Sequence, residues 1–201
     1  MVIKAPEFIT SQTQGVDYSG PSLIPFLLND NGLILELSFQ RTNPNNPTYK
    51  IISIVMNSSG AIVSPQTVFY SQNGAGLDGI QMTNGKLAVA WVNLETERIN
   101  YAVLENNLEK PAQPNELKNP DELFGPRTAG RVSVARANKD RAVLTWMDES
   151  FKHRLYYALL VDNGSSGLIT PPLFLRSILP GQELSLETRG AHGSAEYLYM
   201  W

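Results

Sequence analysis

Acidic side chains near the starts of short extended segments are the first residues here that could do chemistry. Three fit this description, Asp78, Asp148 and Glu187. Glycoside hydrolysis uses two facing carboxyl groups, one as a proton donor and the other as a nucleophile or base. These acids are candidates for such a pair. The alternative, which we favour, is that they are solvated or cap turns, and we therefore assign no catalytic residue.

Arginine is the second such residue type. Arg41, Arg98 and Arg154 fall at similar places in successive predicted loops and would form a basic rim there. The alternative is that each is an isolated, solvated charge. If the protein has a binding surface, we expect it in these loops and in those that join successive units. The predicted binding residues are Arg41, Arg98, Arg131, Asp148, Arg154 and Arg189.

Several other chemistries lack the residues they need. The chain has no cysteine, which excludes disulfides, thiolate zinc sites and cysteine nucleophiles. Its two histidines, His153 and His192, show no metal-binding spacing, so no metal site is predicted. The glycines of residues 74–79 match a dinucleotide-binding pattern, but no helix is predicted after them. No cofactor is therefore expected.

Composition limits the partners. The net charge of −3 argues against general nucleic-acid binding, which depends on a basic face. No run approaches the roughly 18 apolar residues that a membrane span needs. Residues 1–7 lack the apolar core of a signal peptide. The protein is therefore either cytoplasmic or preceded by a leader outside this sequence.

A repeated stretch organises the chain. Lys86–Asn93 and Arg141–Asp148 are two copies, and Glu196–Trp201 is a third. Their tryptophans, Trp91, Trp146 and Trp201, are equally spaced along the chain, and we call this interval the Trp period. A weaker copy at residues 33–39 has Phe39 in the Trp place, at a slightly shorter interval. Such a period indicates a repeat architecture.

Each copy belongs to a larger unit of four predicted strands. An extended stretch precedes the Trp strand, and a Tyr-containing strand and a proline-containing strand follow it. Asn84–Gly85 between the first two strands is a strong hairpin signal. Proline in the fourth strand predicts a sheet edge, because proline cannot donate to a ladder. The predicted units are 18–72, 76–118, 128–178 and a half unit at 188–201.

The remaining segments are less regular. Residues 4–11 resemble the fourth strand of a unit and are predicted to be an orphan outer strand. In the second unit, residues 110–112 are assigned to the fourth strand. Residues 111–127 are predicted to be a long excursion with a helical turn at 121–124. No segment shows sustained helical periodicity, so an all-β fold with minimal helix is expected.

The repeat resembles the blades of β-propeller proteins. The resemblance depends on Leu-Ala-Val-Ala-Trp followed by Tyr-Ala-Val-Leu, and on Val-Leu-Thr-Trp-Met-Asp followed by Tyr-Tyr-Ala-Leu-Leu-Val-Asp-Asn-Gly. It implies four-stranded antiparallel sheets around one axis, in a single partial propeller over residues 1–201. The tryptophans would then pack between sheets; the alternative is a sugar-stacking platform. A β-sandwich is the alternative fold.

The resemblance also implies a class of function. Such blades are similar to those of bacterial secreted and surface proteins, which implies an extracellular or cell-surface location. We expect a non-catalytic module that binds protein or glycan, and that self-associates or continues into further blades. The alternatives are a propeller glycoside hydrolase or lyase fragment, or a designed or excised propeller fragment. A sialidase is disfavoured, because no Ser-x-Asp-x-Gly-x-Thr-Trp box occurs.

Overall fold

The computed structural model shows an all-β protein. It describes residues 16–28, 31–42, 48–117, 132–137, 141–148, 154–161, 168–169, 173–177, 186–189 and 197–200. Every regular element within these ranges is a β-strand, which confirms the all-β part of the predicted fold class. No helix of the described ranges is long and apolar enough to cross a membrane.

The strands form antiparallel sheets from consecutive parts of the chain. Sheet A contains β1 (Val16–Leu28), β2 (Asn31–Thr42), β3 (Thr48–Asn57) and β4 (Ile62–Tyr70). Sheet B contains β5 (Gly74–Gln81), β6 (Leu87–Asn93), β7 (Arg98–Leu104) and β8 (Asn115–Glu116). Sheet C contains β9 (Val132–Arg136), β10 (Arg141–Asp148), β11 (Arg154–Val161), β12 (Leu168–Ile169) and β13 (Leu173–Ser177). Sheet D contains β14 (Leu186–Arg189) and β15 (Tyr197–Met200).

Sheets A and B each follow chain order from first to fourth strand, and in sheet C both β12 and β13 pair with β11. The first and last strand residues of the four sheets are 16 and 70, 74 and 116, 132 and 177, and 186 and 200. The repeat predicted units at 18–72, 76–118, 128–178 and 188–201. The predicted strand at 4–11 and the helical turn at 121–124 lie outside the described residues.

The predicted fourth strand of the second unit is in the wrong place. Instead of residues 110–112, Asn115–Glu116 pairs with β7. Lys110 and Pro111 have another role. The Lys110 ammonium lies 4.3 Å from the centre of the Tyr70 ring, and the Pro111 carbonyl accepts a hydrogen bond of 2.8 Å from the Tyr70 hydroxyl. These two residues therefore attach sheet B to the end of β4 rather than extend sheet B.

Proline in the fourth strand of sheet A marks a sheet edge, as predicted, and a proline in the first strand marks the other edge. Pro65 lies in β4, which forms one edge of sheet A. Pro25 lies in β1, which forms the opposite edge. Proline is tolerated at such positions because an edge strand needs ladder donors on one side only.

Three hairpin turns share one backbone geometry. In residues 57–61, 82–86 and 105–109, the first N–H bonds the fifth carbonyl and the fourth N–H bonds the first carbonyl. The fourth residue has positive φ in each turn, and it is Gly60, Gly85 or Leu108. Glycine takes this conformation without steric cost. Leu108 takes it as well, and its side chain packs against the core between sheets A and B.

Sheet B is buried on both faces. Residues of β6 alternate, with Leu87, Val89 and Trp91 in the core shared with sheet A. Ala88 and Ala90 belong to the core shared with sheet C. All seven residues of β6 are buried. Alternating side chains on a strand point to opposite faces, so sheet B lies between two neighbours.

The tryptophans are core residues. Trp91 is fully buried between sheets A and B, and Trp146 is buried between sheets B and C. Each thus faces the sheet that precedes its own. Trp201 lies outside the described residues. For the two described tryptophans, the packing interpretation is confirmed and a sugar-stacking role is excluded by burial.

The assignment of Phe39 to the Trp place is wrong. Phe39 belongs to the core between sheets A and B, so it faces the sheet that follows its own. Phe39 and Trp91 lie closer together along the chain than Trp91 and Trp146 do. The two intervals differ by an odd number of residues. A strand has a side-chain period of two, so an odd difference in spacing moves a residue to the other face.

The face of sheet A that points away from sheet B is also partly buried, and it carries both apolar and polar side chains. The register places Leu23, Glu36 and Ile54 in one row across β1, β2 and β3. Ser38 and Ile52 form the next row. Ile52, Ile54, Glu36 and Ser38 are buried, whereas Leu23 is exposed. Among the described residues, neither Oε2 of Glu36 nor Oγ of Ser38 has a hydrogen-bond partner.

Candidate functional site: the seam of first strands

Successive sheets meet along their first strands. Strand β1 contacts β5, β5 contacts β9, and β9 contacts β14. The second strands pack behind them, since β2 contacts β5 and β6 contacts β9. We call this series of first strands the seam.

Gln81 joins β5 to β1. Its side-chain oxygen accepts a hydrogen bond of 2.9 Å from the Leu27 N–H, and its side-chain nitrogen donates one of 3.0 Å to the Leu27 carbonyl. The same nitrogen also donates to the Gly85 carbonyl at 3.0 Å. The amide thus satisfies both backbone groups of Leu27 at the edge of β1. An edge strand with unsatisfied backbone groups is prone to wrong pairing, and this amide occupies them.

Asp78 and Arg136 join β5 to β9. One carboxylate oxygen of Asp78 accepts from the Gly79 N–H and the other accepts from the Val134 N–H, both at 2.8 Å. The Arg136 Nε donates to the Gln81 carbonyl at 2.7 Å. Bonds with a charged partner are about twice as strong as neutral ones. Sheet B is therefore fixed at its first strand to both neighbours.

Gln81 and Arg136 occupy equivalent positions. The two residues are separated along the chain by one Trp period. Gln81 pairs in register with Leu87 and Arg136 pairs with Ala142, and these partners are also one Trp period apart. Both side chains reach the backbone of the preceding first strand. The Trp period thus extends to the residues that bind one sheet to the next.

Asp78 connects two backbone groups of the seam. Both of its carboxylate oxygens accept backbone hydrogen bonds, which gives this side chain a structural role in the seam. Of the other acidic candidates, Asp148 is the last residue of β10 and Glu187 lies in β14, opposite Tyr199. The structure brings no two of these three acids together in one strand pair.

One of the three arginines of the predicted basic rim has its charge neutralised by an ion pair. Arg98 forms an ion pair with Glu116 of β8. Arg41 is exposed near the end of β2, opposite Tyr49. Arg154 begins β11 and pairs in register with Asp148. These positions all lie where a second strand passes to a third, as the sequence predicted, and binding by them stays a prediction.

The other two predicted binding residues are elsewhere. Arg189 ends β14 and pairs in register with Tyr197. Arg131 lies outside the described residues, as do His153 and His192. Within the described part of the chain, no cluster of three His, Asp or Glu residues is placed to bind a metal ion.

A polar cluster between sheets A and B was not predicted. The Gln72 side-chain oxygen accepts from the Trp91 indole N–H and from the Asn100 amide, both at 3.0 Å. Asn100 Oδ1 is buried and has no hydrogen-bond partner among the described residues. The Trp period gives no signal for Gln72, because this residue lies in the connection between two sheets.

Burial raises the pKa of three ionisable side chains. It raises the pKa of Glu36 and the pKa of Tyr101 above their usual values. It raises the pKa of Tyr70 to about 12. The cause in each case is desolvation, which disfavours the charged form. Both tyrosines are therefore neutral at physiological pH, and their roles are packing and hydrogen bonding.

Comparison with known proteins does not assign the chain to a family. No protein-family model matches the chain, and no curated protein matches it.

Proposed function

We propose that this chain is a β-propeller module that acts as a non-catalytic scaffold for binding or assembly. The observation that carries the proposal is the seam, in which successive first strands contact each other. In a propeller, the first strand of every blade lies nearest the central axis and the fourth lies at the periphery. Contact through first strands in series supports this arrangement over a two-layer sandwich.

The burial of sheet B on both faces supports the same arrangement. A propeller blade packs against a neighbour on each side, whereas a sandwich sheet has one buried and one exposed face. Propellers have about four to eight blades. The described residues form three sheets of four or five strands and one of two. We therefore propose that further blades come from self-association or from a longer chain.

Sedimentation of the purified chain tests the assembly part of this proposal. We expect a dimer or larger species, because each first strand needs a neighbour on both sides. A well-folded monomer that stays monomeric at high concentration would contradict assembly between copies. Small-angle scattering of the same sample would distinguish a disc with a central channel from a two-layer sandwich.

A binding role is proposed over catalysis because Asp78 is committed to the seam. The ligand classes are protein and glycan, and the proposed surface includes Arg41, Arg98 and Arg154, where second strands pass to third strands. A glycan array with a parallel hydrolysis screen tests this. The controls are Asp148→Asn and Glu187→Gln. Turnover that either substitution abolishes would replace the scaffold with a glycoside hydrolase or lyase.

A further inference from the structure

Sheet A has a glutamate where sheets B and C have their tryptophans. Glu36 lies one Trp period before Trp91, and Trp91 lies one Trp period before Trp146. All three residues belong to the second strand of their sheets. Leu35 and Leu37, the neighbours of Glu36, are in the core between sheets A and B, so Glu36 is on the opposite face. Because Trp91 and Trp146 each face the preceding sheet, this opposite face is the one that a sheet preceding sheet A would cover.

The first strands repeat the same pattern, but Leu23 differs from its equivalents in exposure. Leu23 pairs in register with Glu36, as Val132 does with Trp146. Leu77 lies one Trp period before Val132. Val132 and Leu77 are packed against the preceding sheets and are 3% and 8% exposed, whereas Leu23 is 59% exposed. Leu23 thus has the place of a residue that a preceding sheet buries in sheets B and C.

Leu27 holds in sheet A the place of Gln81 and Arg136. Its partner on β2, Gly32, lies one Trp period before Leu87, which is the partner of Gln81. Gln81 and Arg136 each bind the backbone of the preceding first strand. Leu27 instead has an apolar side chain that is 60% exposed, and a hydrocarbon chain forms no such hydrogen bond.

Leu23 and Leu27 therefore belong to one exposed apolar strip on β1, which we call the open border. Both alternate along the strand with Ile24 and Phe26, which are in the core between sheets A and B. The open border consequently points away from sheet B. It is the side on which sheets B and C each receive the first strand of the sheet before them.

A contact at the open border would be weaker than the two interfaces within the chain. The Trp place holds Glu36 rather than an indole, and the place of Gln81 holds Leu27. The contact would therefore depend on aliphatic surface, whose contribution scales with the area removed from water. Such a contact forms and separates with protein concentration, as an interface between two chains does.

We propose that the open border is a docking surface for a second copy of this chain, which places one of its sheets against sheet A in the way that sheet A lies against sheet B. The argument is continuity with the interfaces of sheets A, B and C, in which a preceding sheet buries the positions equivalent to Leu23. The inference rests on the proposed function, in which further blades complete the propeller, and it adds where the second copy docks.

Single cysteines test the docking surface directly, because the chain has no cysteine of its own. In Leu23→Cys the thiol should react quickly with iodoacetamide in dilute protein. The rate should fall at least about fivefold when the chain is concentrated enough to dimerise, because a covered thiol reacts slowly. Leu94→Cys is the matched control, since Leu94 is 47% exposed in the turn after β6, and its rate should not change.

The outcomes separate this inference from the proposed function. A constant rate for Leu23→Cys in a chain that does dimerise would overturn the docking surface and leave assembly of the propeller standing. A slow rate that is already present in the monomer would also overturn it, because another part of the same chain would then cover β1. A chain that stays monomeric at every concentration would overturn both.

A second substitution tests the energetic role of the open border. Leu23→Asn replaces an exposed apolar side chain with a polar one, so the isolated chain should fold as before. The dissociation constant of the dimer, measured by sedimentation, should rise about tenfold because less apolar surface is buried. Leu94→Asn should leave this constant unchanged. Equal dissociation constants for the two variants would show that Leu23 is not part of the interface.

Discussion

The two faces of sheet B are packed by different means. Towards sheet A, large side chains interlock, and Trp91 lies over Tyr70 with ring centres 5.4 Å apart and planes at 28°. Phe69 meets the same indole edge-on at 6.5 Å. Towards sheet C, β6 presents Ala88 and Ala90. Aromatic rings of β4 and β6 therefore stack at one interface, whereas β6 contributes small side chains to the other.

The comparison shows that one strand can serve two interfaces because its side chains alternate in size as well as in direction. On the side of sheet C, the facing alanines are Ala142 and Ala158. On the side of sheet A, glycine supplies the close contact instead. A Cβ on Gly79 would lie 2.5 Å from Ile24 Cδ1 and 2.8 Å from the Ala88 carbonyl oxygen. Each interface thus has small residues beside large ones.

Trp91→Ala should have the largest effect on this comparison. It removes a fully buried indole, its stacking on Tyr70 and its hydrogen bond to Gln72, and we expect a loss of about 4 kcal/mol in the free energy of unfolding. Urea denaturation measures it. Leu94→Ala, at an exposed position, should change the same quantity by less than about 0.5 kcal/mol. A similar, small effect for both variants would show that the aromatic packing does not hold sheets A and B together.

Gly79→Ala tests the close approach on the side of sheet A. The added methyl group meets a backbone carbonyl that cannot move without disturbing β6, so we expect destabilisation of about 2 kcal/mol. Gly32→Ala is the control, because a Cβ there meets no atom within 4 Å. Thermal unfolding of both variants gives the comparison. Equal melting temperatures would mean that sheets A and B are farther apart at β5 than the structure shows.

Gln81→Ala tests the polar connection rather than the packing. It leaves the N–H and carbonyl of Leu27 without their partner, which we expect to cost about 1.5 kcal/mol. Gln66→Ala, on an exposed part of β4, is the matched substitution and should be neutral. Hydrogen exchange adds a local readout, because the Leu27 amide should exchange faster in the Gln81 variant alone. An unchanged exchange rate of the Leu27 amide would contradict the hydrogen bonding of Gln81 to the Leu27 backbone.

Glu36→Gln extends the comparison to the face of sheet A away from sheet B. Burial raises the pKa of Glu36 above its ordinary value of 4.5 in the folded state. Its contribution to stability is therefore fully present below about pH 4.5 and is lost as the pH rises through the raised value. Glutamine stays neutral, so the variant should be more stable than the parent at pH 7, on the order of 1 kcal/mol.

Unfolding by urea at pH 7 and pH 3 measures this effect. The two proteins should converge at pH 3, where the carboxyl group is protonated in both states. A constant difference at both pH values would show that Glu36 is not desolvated in the folded protein.

Much of the fold could be predicted from Trp91 and Trp146. Residues that recur at a constant spacing in a regular repeat lie on the same face of their respective sheets. Phe39 could not be placed in the same way. Its spacing departs from the Trp period, and β1 and β2 have a register irregularity between Ser19 and Ser22 that the sequence does not reveal. Local patterns therefore predict strands well and strand faces only where the repeat is regular.

The site was harder to predict than the fold. Asp78 appeared as a candidate acid because its position near a strand start was visible, but its partner Val134 lies 56 residues away. Gln81 and Arg136 are one Trp period apart, but their side chains are of different types. Comparing residue types between the repeats therefore did not identify them as equivalent. Arg98 looked available for ligands because Glu116 lies 18 residues away, beyond an irregular connection.

The backward reach of Gln81 and Arg136 also has a consequence for synthesis on the ribosome. Each sheet is built from one continuous stretch of chain, and each of these side chains binds a strand that was translated earlier. Sheets B and C can therefore dock on the sheet before them while later parts of the chain are still being made. Docking in this order would shorten the time for which the edges of β1 and β5 are exposed in the nascent protein.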